Sequence, residues 1–282
     1  MLKREEIRIR DPFVLTDKAN GCYYMYGTTA LEDGSLRAKN SFSVYKTYDL
    51  EHFEEPVVIF DGDEIGFWAD RDFWAPEVHI YNGKYYLFGS CKTDGRCRAT
   101  QIFVSDTPTG KFRPVSDVPP TPADWACLDG TFFCEDGVPY MVFSHEWTQI
   151  KNGEICAVPL SEDLSRPVGE PFVLFRASDN PGVGELKPGT GNYVTDGPFL
   201  FREDGKLRMI WSSFYNGRYL VLEAESPALR GPWKHFGSRF DFDGGHAMLF
   251  CRLDGERMIS LHAPNKAGLE RACFLPWNGK TV

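Results

Sequence analysis

The sequence predicts an all-β chain folded as a five-bladed β-propeller, and three observations predict it. A phrase made of a polar head residue, an apolar run, a turn rich in Gly, Asp or Asn and a second aromatic run recurs five times. Measured from Asp11, Trp74, Asp129, Asp196 and His246, the copies are spaced 63, 55, 67 and 50 residues apart. Sustained helical periodicity is absent, whereas short aromatic or β-branched runs bounded by Asp-Gly, Asn-Gly and Pro recur throughout. Pairs of short β runs around a hairpin turn, repeating at about 50 residues, are the mark of propeller blades.

The first copy runs from Arg10-Asp11-Pro12-Phe13-Val14-Leu15 through Asn20-Gly21 into Cys22-Tyr23-Tyr24-Met25-Tyr26. The second pairs Trp74-Ala75-Pro76-Glu77-Val78-His79-Ile80 with Lys84-Tyr85-Tyr86-Leu87-Phe88 across Asn82-Gly83. In the third, Leu128-Asp129-Gly130-Thr131-Phe132-Phe133 precedes Asp136-Gly137 and then Val138-Pro139-Tyr140-Met141-Val142-Phe143. The fourth joins Thr195-Asp196-Gly197-Pro198-Phe199-Leu200 to Lys206-Leu207-Arg208-Met209-Ile210-Trp211 through Asp204-Gly205. The fifth is Gly245-His246-Ala247-Met248-Leu249-Phe250, then Asp254-Gly255 and Glu256-Arg257-Met258-Ile259. The stretches 114–122 and 178–192, irregular and rich in Pro, Gly and polar residues, each precede an acid-bearing strand and are expected to form the rim of the central funnel.

Innermost propeller strands begin at one mouth of the central channel, so residues at one phase of the repeat converge. Asp11, Asp129 and Asp196 are therefore expected to meet, and three crowded carboxylates raise at least one pKa. Each taken singly also fits a turn or a helix cap, since Asp before Gly or Pro is common there. Three acids in phase favour a site.

Five blades consume nearly all of the 282 residues, so residues 1–282 are read as one domain. With 42% hydrophobic and 15% aromatic residues the chain can build a large core. No apolar run approaches the 18 or so residues that cross a membrane, and a net charge of -9 lacks the basic footprint that nucleic acid requires. The start, Met1-Leu2-Lys3-Arg4-Glu5-Glu6, carries no apolar leader, which points to a cytoplasmic protein or to a secreted one trimmed of its leader. The eight cysteines show no CxxC or zinc spacing and read as buried free thiols, with Cys91 and Cys97 alone near enough in sequence for a local bridge.

The combination Arg10-Asp11-Pro12, Trp74-Ala75-Pro76-Glu77, Leu128-Asp129-Gly130-Thr131-Phe132-Phe133, Asp196-Gly197-Pro198 and Gly245-His246, in that order and phase, resembles glycoside hydrolase family 43. The resemblance spans essentially the whole chain. It implies a five-bladed propeller acting on arabinose- or xylose-containing saccharides by inversion, with an oligosaccharide or a polysaccharide side chain as partner, and no organic cofactor. It implies Asp11 as the general base, Asp129 as the aspartate that tunes and orients the acid, and Asp196 at the position of the general acid. There the chain departs from the family, which carries Glu-Gly-Pro. Losing one methylene retracts the carboxyl by roughly 1.5 Å, so Asp196 with a deeper-seated sugar, Glu185 on the preceding loop, or a site that binds without turnover all stand open. Asp196 is favoured because it keeps the phase of the repeat.

The resemblance also places His246 near a metal ion or water on the channel axis. A single imidazole with waters implies a loosely held calcium or other structural ion, and a hydrogen-bonded core histidine is the alternative. Arg271 resembles a last-blade arginine that reaches sugar and acid, or else forms a surface ion pair with a neighbouring glutamate. Trp74 and Trp147 are stacking candidates for a sugar's apolar face, with His145 beside the latter, and each could equally pack between blades. Glu77 and Glu146 are spare carboxylates. The expected reaction is release of a terminal arabinofuranosyl or xylosyl unit, and the lack of room for the additional C-terminal sandwich that many xylosidases of the family carry tilts the expectation toward an arabinofuranosidase. The rivals are a sugar-binding propeller and a phosphorylase of similar acid layout.

Overall fold

The computed structural model describes residues 1–29 and 40–277. Five antiparallel sheets follow one another along the chain, each with its first strand innermost. Blade 1 orders Ile9–Asp17, Cys22–Thr29 and Ser41–Thr47 outward, with Leu2–Lys3, His52–Phe53 and Val57–Asp61 at its outer edge. Blade 2 consists of Arg71–Tyr81, Lys84–Lys92, Ala99–Ser105 and Arg113–Pro114. Blade 3 consists of Cys127–Glu135, Val138–His145, Glu154–Pro159 and Phe172–Arg176. Blade 4 consists of Asp196–Glu203, Lys206–Tyr215, Arg218–Ser226 and Lys234–Ser238, and blade 5 of Gly245–Cys251, Arg257–Ala263 and Arg271–Pro276. This is the five-bladed propeller that the repeat predicts. Among the described residues no helix is long and apolar enough to cross a membrane.

The repeat phrase folds as its turn chemistry dictates. Both central residues of Asn82-Gly83, Asp136-Gly137 and Asp204-Gly205 have positive φ, the backbone of type I′ turns whose twist matches that of the flanking strands. The blades then pack face to face through the apolar residues that the runs supply. Met141 and Phe143 of blade 3 meet Phe88 and Ile102 of blade 2, and Trp211 and Leu222 of blade 4 meet Val142 and Phe175 of blade 3. All eight cysteines are free thiols, so Cys91 and Cys97 are not bridged. Four of them are buried as expected, but Cys134 and Cys251 are exposed.

Every innermost strand carries a β-bulge near its start, where pairing with the second strand skips. The skips fall between Arg10 and Phe13, Trp74 and Glu77, Leu128 and Thr131, Asp196 and Phe199, and Gly245 and Met248. The first residue inside each skip has positive φ: Asp11 (56°), Ala75 (45°), Asp129 (55°), Gly197 (51°) and His246 (51°). A bulge aims two consecutive residues the same way, so each blade presents a pair at the channel mouth instead of one. The structure thereby corrects the sequence register. Asp11, Asp129 and His246 share one position with Ala75 and Gly197, whereas Asp196 and Trp74 precede that position by one residue and align with Arg10, Leu128 and Gly245.

The residue paired with the head of each bulge is Thr28, Ser90, Ser144, Ser212 or His262. In four of the five junctions its side chain accepts the bulged N–H of the next blade. Ala75 N–H donates to Thr28 Oγ1 (2.7 Å), Asp129 N–H to Ser90 Oγ (2.9 Å), His246 N–H to Ser212 Oγ (2.8 Å) and Asp11 N–H to His262 Nδ1 (3.3 Å). The last of these joins blade 5 back to blade 1, together with Ser260 Oγ–H on the Pro12 carbonyl (2.6 Å). The fifth junction differs, because Gly197 N–H turns to Asp129 Oδ2 (3.0 Å) and leaves Ser144 Oγ buried without a partner.

Two outcomes follow from this ring of bonds. Ser90→Ala strands a buried amide and is expected to lose about 1–3 kcal/mol in urea unfolding, whereas Ser144→Ala removes an unsatisfied hydroxyl and changes stability by less than about 0.5 kcal/mol. Gly197→Ala places a Cβ 2.7 Å from Cγ of His246 on left-handed backbone. It is expected to cost at least about 1 kcal/mol in the same measurement and to depress turnover by displacing the imidazole.

Candidate active site

At the mouth where the bulges lie, a pocket of about 220 Å³ is lined by Arg10, Asp11, Thr28, Trp74, Leu128, Asp129, Asp196, Tyr219 and His246. Its floor comes from the bulge positions and its wall from the residues before them. Asp11, Asp129 and His246 fill the axis because the other two positions there are Ala75 and Gly197, the latter in van der Waals conflict with His246 if any Cβ were added. The three acids predicted to converge do line one pocket. Asp11 and Asp129 are buried at its floor, 8% and 7% exposed, and Asp196 is the more exposed of the three.

Asp11 is surrounded by donors and cations. Thr28 Oγ1–H donates to Oδ2 (2.9 Å), His246 Nδ1 lies 3.2 Å from Oδ1, and Arg10 Nε lies 3.5 Å from Oδ1. Burial acts to raise its pKa, but His246, His262 and Arg10 outweigh it and hold the carboxyl well below the usual range. Arg10 is kept in place by Asn265 Oδ1 (2.8 Å) and Glu270 Oε1 (3.3 Å). Burial likewise works against a charged His246, yet Asp11 and Asp129 (3.6 Å) push its pKa up to about 10.

Asp196 and Asp129 shift the other way. Burial first, then the Asp11 charge, raises Asp196 to about 6 against the opposing pull of Arg10 and His246. Burial, with Asp196 and Asp11 as neighbours, raises Asp129 to about 7. Asp129 Oδ2 accepts the Gly197 N–H and faces the His246 cation, both of which favour its charge, whereas Asp196 accepts one hydroxyl, that of Tyr219 (3.0 Å). The two carboxyls titrate together between about 6 and 7, and Asp196 is the one that faces the open pocket.

The remaining predicted contacts divide. Trp74 lines the pocket, its ring backed by Arg98, whose Cζ lies 4.1 Å from the ring centroid and which pairs with Asp72 (2.7 Å) and Glu146 (2.6 Å). His145 does not line it. That imidazole stacks on Trp125 at 4.3 Å and bonds Gln149 and Glu154, behind the strand end. Trp147 opens the short helix Trp147–Ile150 and is not among the lining residues either. Arg271 donates to the backbone carbonyls of Glu5 (2.6 Å) and Glu270 (2.8 Å), tying the N-terminal segment to blade 5, and the arginine that lines the pocket is Arg10. Glu185 accepts the Thr190 N–H (3.0 Å) and the Tyr193 hydroxyl (3.5 Å) inside its own loop. Glu77 is buried against His79 (2.9 Å).

The ion expected beside His246 finds a sparse donor set. Nδ1 of His246 is engaged by Asp11 and Asp129, and among the described residues no group of three or more His, Cys, Asp or Glu side chains could hold a metal ion. An ion held there would have one imidazole and waters as its ligands, and no step below runs through one.

Thr28, Leu128 and Tyr219 were not singled out from sequence. Thr28 carried a usable signal, since Thr28, Ser90, Ser144 and Ser212 all fall at the ends of second-strand aromatic runs. Tyr219 carried none, because it lies in a third strand, Arg218–Ser226, that the repeat phrase does not reach.

With this geometry in place, comparison with known proteins is direct. The extracellular endo-alpha-(1->5)-L-arabinanase 1 of Bacillus subtilis is 22% identical over 257 residues, 86% of this chain and 72% of that protein. The xylosidase/arabinosidase 43A of Humicola insolens is 25% identical over 45% of this chain, and the match spans 41% of that protein. The crystal structure of an endo-arabinase from Bacteroides thetaiotaomicron superposes with a TM-score of 0.89 at 39% identity, covering 98% of this chain and 96% of that one. The model of glycosyl hydrolases family 43 matches residues 6–276, and the chain belongs to that family.

Proposed function

We propose that this glycoside hydrolase cleaves arabinofuranosyl linkages within arabinan chains, with inversion at the anomeric carbon. The observation that carries the reading is one pocket in which a carboxylate kept ionised, Asp11, and a carboxyl raised toward neutrality, Asp196, face the same space. Two acids driven apart in pKa by their surroundings suit a base and an acid. Asp11 takes a proton from water as the water oxygen attacks the anomeric carbon. The glycosidic C–O bond breaks, and Asp196 gives its proton to the departing oxygen. Asp129 fixes the charge balance at the floor, and Trp74 offers a ring to the sugar. The choice of an internal linkage of arabinan rests on the similarity to the two arabinanases. Release of a terminal arabinofuranosyl or xylosyl unit is the second reading, favoured by the likeness to a xylosidase/arabinosidase.

Digestion of linear arabinan, with product sizes followed by chromatography, tests the cut. A ladder of oligomers early in the digest supports internal cleavage, monosaccharide alone supports terminal release, and no product from arabinan or from nitrophenyl arabinofuranoside and xyloside overturns both. Asp11→Asn is expected to lower kcat by roughly 10²–10⁴ with oligosaccharide affinity retained; undiminished turnover would remove Asp11 from the role of base. The kcat/KM profile is expected to fall on its alkaline side with an apparent pKa between about 6 and 7, the range of the Asp196 and Asp129 pair, because the acid is lost as pH rises through its folded pKa.

A further inference from the structure

Tyr219 reaches the pocket from the third strand of blade 4 and touches the proposed acid. Its hydroxyl donates to Asp196 Oδ2 at 3.0 Å, and it lines the pocket while remaining 2% exposed. The ring has little freedom. It lies nearly parallel to His262 (centroids 5.9 Å apart, 20°), meets Phe214 at 5.6 Å, and carries the Arg10 guanidinium 5.9 Å from its centroid. On the remaining side it occupies space left by the absent side chain of Gly245, where a Cβ would overlap the ring. Burial also raises the Tyr219 pKa well above its usual value, so the phenol keeps its proton and stays a donor.

A carboxylic acid can carry its proton on either oxygen and in either orientation, and only one arrangement points it at a bound sugar's leaving oxygen. With Oδ2 occupied as an acceptor by a phenol that cannot turn away, the proton is directed to Oδ1. We propose that Tyr219 is a positioning residue for general-acid catalysis, locking the Asp196 carboxyl so that Oδ1 delivers its proton to the leaving group. The inference rests on Asp196 being the acid, as proposed above.

Leaving-group dependence provides the test, because a nitrophenol departs with little need of a proton whereas a sugar hydroxyl requires one. Tyr219→Phe keeps the ring and deletes the hydroxyl. On an arabino-oligosaccharide its kcat is expected to fall by at least about tenfold, while kcat on the nitrophenyl glycoside of a matching oligosaccharide falls less than about twofold. The alkaline limb of the oligosaccharide profile is expected to move to higher pH, since a hydrogen bond that favours the Asp196 carboxylate is lost. Retained turnover of the activated substrate certifies the fold. Equal losses on both substrates, or no loss on either, would overturn the role of Tyr219. Asp196→Asn separates that failure from failure of the underlying assignment: if it lacks the selective loss, Asp196 is not the acid, whatever Tyr219→Phe does.

Discussion

The hydrogen bond from a bulged amide to the side chain of the preceding blade is the constraint on which the rest of this molecule depends. Four of five junctions use it, with Thr28, Ser90, Ser212 and His262 as acceptors. A bulge frees an N–H from the ladder, and a buried unpaired amide is costly. The neighbouring blade satisfies it, so the same bond sets blade against blade and holds the left-handed backbone of Asp11, Asp129 and His246. Thr28 shows how closely structure and chemistry are joined, since its hydroxyl accepts from Ala75 and donates to Asp11.

The junction that breaks the pattern lies under the reacting groups. Gly197 gives its amide to Asp129 in place of Ser144, so the tie between blades 3 and 4 runs to a titratable side chain and not to a hydroxyl. That bond and the His246 cation support charge on Asp129, while Asp196, one residue before Gly197 on the wall, takes its hydrogen bond from Tyr219. Three carboxyls in one funnel thus have unlike surroundings: Asp11 among Thr28, His246 and Arg10, Asp129 against an amide and an imidazolium, Asp196 against a phenol and the open pocket. Burial raises the pKa of all of them, and the placement of cations decides which one stays ionised.

The five-bladed architecture and the meeting of Asp11, Asp129 and Asp196 were legible in the chain itself, because a repeat of turn chemistry and apolar runs dictates blades, and a blade's geometry carries one phase to one mouth. Trp74 was legible for the same reason. His145, Trp147 and Arg271 were not, for each lies next to a blade phrase in sequence, yet His145 bonds Gln149, Trp147 opens a short helix, and Arg271 donates to the carbonyls of Glu5 and Glu270. Only the folded structure decided that Arg10 is the pocket's arginine, that Tyr219 touches Asp196, and that Asp196 stands one residue out of register with Asp11 and Asp129. A bulge does not change the spacing of letters in a sequence. It brings two adjacent side chains to the channel mouth instead of one, and that geometry is held by hydrogen bonds from another blade, 34 residues away along the chain for His246 at Ser212 and 251 for Asp11 at His262.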